Sequence, residues 1–391
     1  MKNSKIIPYA CQDIDQSDID AVTDVLKAEF LTQGPKVEEF ENSVSSYCGA
    51  NYAIAVNSAT SGLQIACQAL GIGPGSLVWT STITFAATPN CVLNCGARVN
   101  FLDVSLQTYN VCLDDLENKL IDAEIKADLP DVVIAVHMAG SSCDMSKIHQ
   151  LAIKYGFKVI EDASHAIGGF FDEKPVGSCD HSDITVFSFH PVKIITSGEG
   201  GMAVTNDPVL ASRMKKFRSH GISSDPSDML ERPKNEIWNY QQVDLGFNFR
   251  MTDMQAALGL SQIARIDEFV AARRRIAKKY DDDLKELPLN LPKRFKNVQS
   301  SYHLYIIRIK LTEVKKSQPE VFDFMRKNGV MVNLHYIPCH LQPYYAGRGF
   351  KRGAYPNAEQ YFQEVISLPL FPHLSSGDQE RCIELLSTAL S

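Results

Sequence analysis

The 391-residue sequence lacks any apolar run near the roughly 20 residues that a membrane-spanning helix needs. Its opening stretch, MKNSKIIPY, is too short and too polar for a secretory leader, so neither export nor membrane insertion is expected. No Cys-x-x-Cys pair occurs among the ten cysteines; Cys91 and Cys95 come nearest, with three residues between them. Scattered thiols of this kind fit the reducing cytoplasm, and without paired ligand spacing no metal site is expected. Basic charge is also short: 39 Lys and Arg stand against 46 Asp and Glu, a formal charge of −7, which disfavours a nucleic-acid binder. No Gly-x-Gly-x-x-Gly follows a strand, so a nicotinamide dehydrogenase is disfavoured too. What remains is an ordinary globular balance, 45% hydrophobic and 22% charged, long enough for two to three domains at about 150 residues each.

From about residue 50 to 205, short apolar runs alternate with helical patterns, the signature of βαβ units and a mostly parallel sheet. The strands are expected at Tyr52–Val56, Leu77–Ser81, Arg98–Asp103, Val132–His137, Lys158–Asp162, Thr185–Phe189 and Gly201–Thr205. Their continuous hydrophobicity predicts burial on both faces. Helices are expected over Ala59–Leu70 and Ser146–Tyr155, closed by Gly71 and Gly156. A single long helix is predicted over Met251–Leu284, opened by the capping box Thr252-x-x-Gln255 and bridging a large domain, 1–250, to a small α+β domain, 251–391. In the latter, Ser301–Leu311 alternates like a strand with one exposed face, Pro319–Asn328 reads as helix, Val330–Tyr336 as strand, and a closing helix starts near Asp378. The polar Asp225–Asn239 stretch reads as a loop or an active-site flap.

Three segments carry chemistry. In FSFHPVKIITSGEGGM a strand delivers Ser188 and a Pro-containing loop presents Lys193 among Val192, Ile194 and Ile195. Desolvation there would lower the ammonium pKa, as a Schiff-base lysine requires, although a surface lysine fits this segment equally. In KVIEDASHAIGG, Asp162 ends an apolar strand, where open α/β sheets bind ligands. It could pair with a pyridinium nitrogen or be a satisfied buried acid, and His165 beside it could stack on a ring or simply pack. In VNSATSGL, small hydroxyl residues open a helix whose amides at Ala59 and Thr60 could hold phosphate; a plain serine cap is the alternative. Phosphate cup, ring-nitrogen partner and lysine together are the minimum equipment of a pyridoxal phosphate enzyme.

The ordered set NSATSGL, ITFAATPN, EDASHAIGG, SFHPVKIITSGEGG, FNFRMTDMQAALG and HYIPCHLQPYY resembles the nucleotide-sugar aminotransferases of fold type I over nearly the whole chain. The resemblance implies an α/β fold type I transferase with a seven-stranded, mostly parallel sheet and a smaller C-terminal domain. It implies pyridoxal 5′-phosphate as cofactor, bonded to Lys193, paired through Asp162, held at its phosphate by Ser188, and flanked by Phe85 and His165. It further implies a homodimer in which Asn248 reaches the partner's cofactor phosphate. For substrate it carries over Tyr9, the Glu29, Phe30, Leu31 and Thr32 turn, Arg250, His335 and Tyr336. The branch it most resembles moves the amino group of L-glutamate to C4 of a UDP-linked 4-keto sugar on the way to pseudaminic acid; another nucleotide-linked 4-keto sugar is the alternative. Related dehydratases carry His where Lys193 stands, so elimination chemistry is disfavoured. A non-catalytic binding relative would not need the intact Lys193, Asp162 and Ser188 set.

Overall fold

A computed structural model describes residues 6–231, 233, 235–293 and 295–391. Seven strands form the central sheet: β1 (Tyr52–Val56), β2 (Leu77–Ser81), β3 (Arg98–Leu102), β4 (Val132–Val136), β5 (Lys158–Asp162), β6 (Ile184–Ser188) and β7 (Gly201–Thr205). Their order is β1-β7-β6-β5-β4-β2-β3. All run parallel except β7, which is antiparallel to both β1 and β6. Strands β2, β4, β6 and β7 are buried throughout, as their unbroken apolar character predicts, because helices cover both faces. The register sets Asp162 opposite Val136 on one side and Val186 on the other, so its side chain stands at the carboxyl edge of the sheet.

Helix Ala59–Ala69 follows β1 and lies close enough to the sheet that a Cβ on Gly62 would meet Val186 at 2.8 Å. Gly71 and Gly156 take positive φ just beyond their helices, as expected. The long bridging helix is not continuous. It runs as Asp253–Ile263 and Ile266–Leu284, interrupted at Ala264 and Arg265. The interruption lets the Arg265 guanidinium meet Asp15 at 2.8 Å and Asp18 at 2.6 Å, while Gln262 donates to the Asp13 carbonyl at 2.7 Å. The capping box at Thr252 and Gln255 is formed.

Beyond it, Leu289–Asn290, Tyr305–Ile309 and Val365–Leu368 make a three-stranded antiparallel sheet, covered by helices Gln318–Lys327 and Ser376–Leu390. Two expectations are corrected here. The Tyr305–Ile309 strand has no exposed face. Tyr305, Ile307 and Ile309 enter the C-terminal core, whereas Leu304 and Ile306 pack on Ile83, Phe101 and Met138 beside the large sheet. The polar member of the alternation, Arg308, is buried against Glu364 at 2.5 Å. Val330–Tyr336 is not a strand: it makes only isolated bridges, Val330 to Ile7 and Asn333 to Ser367. It meets the edge of the Val365–Leu368 strand only through the reciprocal Asn333–Ser367 pair, and a 2.9 Å bond from Val332 N–H to Val330 O turns the chain tightly just before that pair. The 225–239 stretch is a loop tied down by Asp228, which accepts from Lys216 at 2.6 Å; Arg232 and Lys234 lie outside the described residues.

Candidate active site

The carboxyl edge of the sheet opens into a cavity of about 530 Å³. Its floor is Asp162, whose two oxygens are both engaged: Thr88 donates to Oδ2 at 2.7 Å, and Ser164 donates to Oδ1 through its hydroxyl at 2.6 Å and its amide at 3.2 Å. Thr84, in the bend before helix Ala87–Asn94, and Thr88 share a further 2.7 Å hydrogen bond. A carboxylate this constrained keeps one orientation.

One side of the floor is the N-terminus of helix Ala59–Ala69. Ser58 caps it by accepting from the Ser61 amide at 3.2 Å, and the amides of Ala59 and Thr60 precede the first intrahelical bond. Both residues line the cavity. Strand β7 passes so close beneath that a Cβ on Gly201 would stand 2.5 Å from the Ala59 amide nitrogen. The glycine is what lets the helix start sit over the sheet edge.

Opposite, the chain leaves β6 at Ser188 and returns at Gly200, the loop being closed by Phe189 N–H to Gly200 O at 2.9 Å and Ser197 N–H to Phe189 O at 3.0 Å. Its apex presents Lys193, anchored by its own amide to His190 O at 2.9 Å. The side chain keeps access to the cavity, yet the surrounding walls desolvate it and bring its pKa from 10.5 down to about 8, with the Asp162 carboxylate pulling the other way.

A third wall holds three imidazoles, His165, His303 and His335. The Ala139 amide donates to His165 Nδ1 at 3.3 Å, so in the neutral ring Nε2–H points to the Tyr336 hydroxyl at 3.1 Å. His303 lies 4.4 Å from His165 between ring centroids, and His335 Nδ1 bonds Ser367 at 2.9 Å. Burial first, and then the charge of Lys193, keep all three neutral: His335 falls to about 3 and the other two well below the ordinary value. Phe85, 61% exposed at the mouth, stands 6.0 Å from the Tyr336 ring, and Tyr9 stands 5.6 Å from His335.

The segments bearing Phe85 and Tyr336 are clasped together. The Cys339 amide donates to Thr82 O at 2.8 Å, and His340 bridges the Thr82 hydroxyl (2.7 Å) to Glu359 (3.1 Å).

Lys193, Asp162, Ser188, Ala59, Thr60, Phe85, His165, Tyr9, His335 and Tyr336 are thus brought to one cavity. Asn248, Arg250 and the Glu29–Thr32 turn are not. Arg250 lines a separate groove with Arg218 and Glu41, Asn248 is exposed, and Phe30 and Leu31 face outward. Thr84, Thr88, Ser164, Asn333 and His303 were not singled out by sequence, although the i, i+4 hydroxyls of ITFAAT are a readable signal for the first two. Among the described residues lining the cavity, Lys193 is the only lysine or arginine. The donor set fits pyridoxal phosphate: free helix amides for a dianion, a fixed carboxylate for a ring nitrogen, and a desolvated amine for an aldehyde.

Residues 12–387 match the DegT/DnrJ/EryC1/StrS aminotransferase family. The chain is 36% identical over 376 residues to the UDP-4-amino-4,6-dideoxy-N-acetyl-beta-L-altrosamine transaminase of Campylobacter jejuni, covering 95% of this chain and 94% of that one. Its fold is similar to Helicobacter pylori PseC, an aminotransferase involved in the biosynthesis of pseudoaminic acid, with a TM-score of 0.89, 29% identity and 99% of each chain covered. It is similar also to the PLP-form of the sugar aminotransferase Spr1654 from Streptococcus pneumoniae, with a TM-score of 0.87, 28% identity and 98% of each chain covered. The chain belongs to the DegT/DnrJ/EryC1/StrS family and is a pyridoxal-phosphate-dependent sugar aminotransferase.

Proposed function

We propose that this enzyme takes the amino group of L-glutamate and places it on C4 of UDP-2-acetamido-2,6-dideoxy-β-L-arabino-hex-4-ulose, yielding UDP-4-amino-4,6-dideoxy-N-acetyl-β-L-altrosamine for pseudaminic acid. The observation that carries the chemistry is Lys193, desolvated, across one cavity from the doubly held Asp162. The choice of sugar rests on the Campylobacter and Helicobacter proteins.

Pyridoxal phosphate, when bound, supplies an aldehyde to capture amines and a ring that accepts an electron pair. The protein's own share follows from the geometry. The Ala59 and Thr60 amides and the Ser188 hydroxyl would hold the phosphate, whose charge the helix dipole favours. Asp162 would keep a proton on the ring nitrogen. Lys193 is the amine that would hold the aldehyde, and its free Nζ would take the proton from Cα of glutamate and later deliver one to C4 of the sugar. A pKa near 8 lets it do both near neutrality. Phe85 would pack on the ring face, His165 directs Nε2–H to Tyr336, and Tyr9, His335 and Tyr336 would contact the sugar. The neutral state of the three histidines avoids adding cations beside an amine that must lose its proton.

The enzyme works as a cytoplasmic homodimer. Asn248, Arg250 and the Glu29–Thr32 turn, remote from the cavity of their own chain, serve the partner's. Each chain divides into a large domain (1–250) and a small one (251–391), with the sugar bound at their seam. The test is an absorption spectrum. The yellow band of the loaded enzyme bleaches on adding L-glutamate, and the proposed 4-keto sugar restores it. A band that glutamate leaves unchanged overturns the donor; restoration by a different nucleotide-linked keto sugar overturns the acceptor.

A further inference from the structure

A second cavity of about 340 Å³ lies behind the histidine wall. Its inner side includes Ala139, whose amide holds His165, and Tyr302, the neighbour of His303. Arg274, Lys293 and Lys296 line it, and among the described residues no aspartate or glutamate does. In a chain of net charge −7 this is a local reversal of sign, the footprint of an anion site. The cations are neutralised only weakly. Arg274 donates to the carbonyls of Ser300 (2.9 Å) and Gly168 (3.2 Å), Lys293 donates to the Gln107 carboxamide (3.0 Å), and Asp267 acts on Arg274 only from a distance. The two carbonyl bonds fix the guanidinium plane in a half-buried position and leave further N–H groups for a ligand.

The rest of the lining suits a flat ring. Phe295 stands beside Lys293, whose ammonium lies 5.1 Å from the ring centroid, and the carboxamide of Gln299 offers both a donor and an acceptor. The volume falls within the ordinary range of small-molecule sites, about 300–1,000 Å³. Cations for a diphosphate, an aromatic side chain and an amide for the polar edge of a base converge in one place.

We propose that this cavity is a second nucleoside-diphosphate site, separate from the catalytic one and backed against its histidine wall. The choice of uridine as the base rests on the reading of the substrate given above.

The test is calorimetric titration of the pyridoxal-phosphate-loaded enzyme with UDP, comparing wild type with K293E/K296E. Both lysines are exposed and lie outside the catalytic cavity, so the variant keeps its turnover. Wild type is expected to bind two UDP per chain and the variant one. An unchanged stoichiometry in the variant overturns the site. A different nucleotide preference in the catalytic cavity gives one UDP in wild type and none in the variant, so failure of the substrate reading is told apart from failure of this one.

Discussion

The floor of the catalytic cavity and its rim are held in different ways. The floor is part of the sheet: Asp162 sits at a strand end between two parallel neighbours, and three donors hold its oxygens. The rim is made of loops clasped to one another, Phe85 on one and His335 and Tyr336 on the other, with His340 and the Cys339 amide as the fastening. A cofactor that stays through the whole catalytic cycle needs one fixed geometry, whereas sugars that come and go are met by parts that can be exchanged without disturbing the sheet. Floor changes should therefore damage both half-reactions, as should a change of Phe85, which faces the cofactor, whereas changes on the His335 and Tyr336 side of the rim should damage the sugar half alone.

The severest break is Lys193→Ala, expected to lower turnover on the order of 10⁴-fold and to abolish bleaching by glutamate; a stopped-flow spectrum reads both. Asp162→Asn keeps the shape of the floor but removes the charge, and both half-reactions should slow on the order of 10²-fold in single-turnover measurements. Thr88→Val takes one donor from a buried carboxylate oxygen. At about 1.5 kcal/mol for such a bond, pyridoxal phosphate should dissociate roughly tenfold more readily, as measured by titrating the apoprotein. A pH series sharpens the contrast. Only the neutral Lys193 amine attacks the aldehyde, and with a pKa of about 8 the apoprotein should recombine with pyridoxal phosphate about tenfold faster at pH 9 than at pH 7, then level off. An ordinary lysine would still be gaining rate at pH 10. The mildest change is His340→Ala: KM for the keto sugar should rise about fivefold while the glutamate half-reaction is untouched. Equal effects on both halves would erase the distinction between floor and rim.

Much of the floor was legible because it is local. All seven sheet strands lie within a residue of their expected bounds, and Lys193, Asp162 and the Ala59 and Thr60 amides each sit in a segment whose own pattern makes it a candidate. Which residues the polar side chains reach was not legible. Thr88 reaches Asp162 from 74 residues away, and His303 meets His165 from the C-terminal part, contacts that no local periodicity announces. The break at Ala264 and Arg265 was hidden for the same reason. Its cause is the acidic cluster Asp13, Asp15 and Asp18, some 250 residues earlier, while the apolar pattern runs on through it. Alternation in Ser301–Leu311 misled because the polar positions are satisfied inside the protein, Arg308 by Glu364, and not by water.

That same strand, Tyr305–Ile309, sends alternate side chains into two hydrophobic clusters, one C-terminal and one beside the large sheet. Neither cluster can melt without exposing half of it. Heat should accordingly unfold the chain in one cooperative step, with calorimetric and van't Hoff enthalpies equal, where two independent bodies would give two. The molecule's two halves share a keel, and their thermal fate is joint.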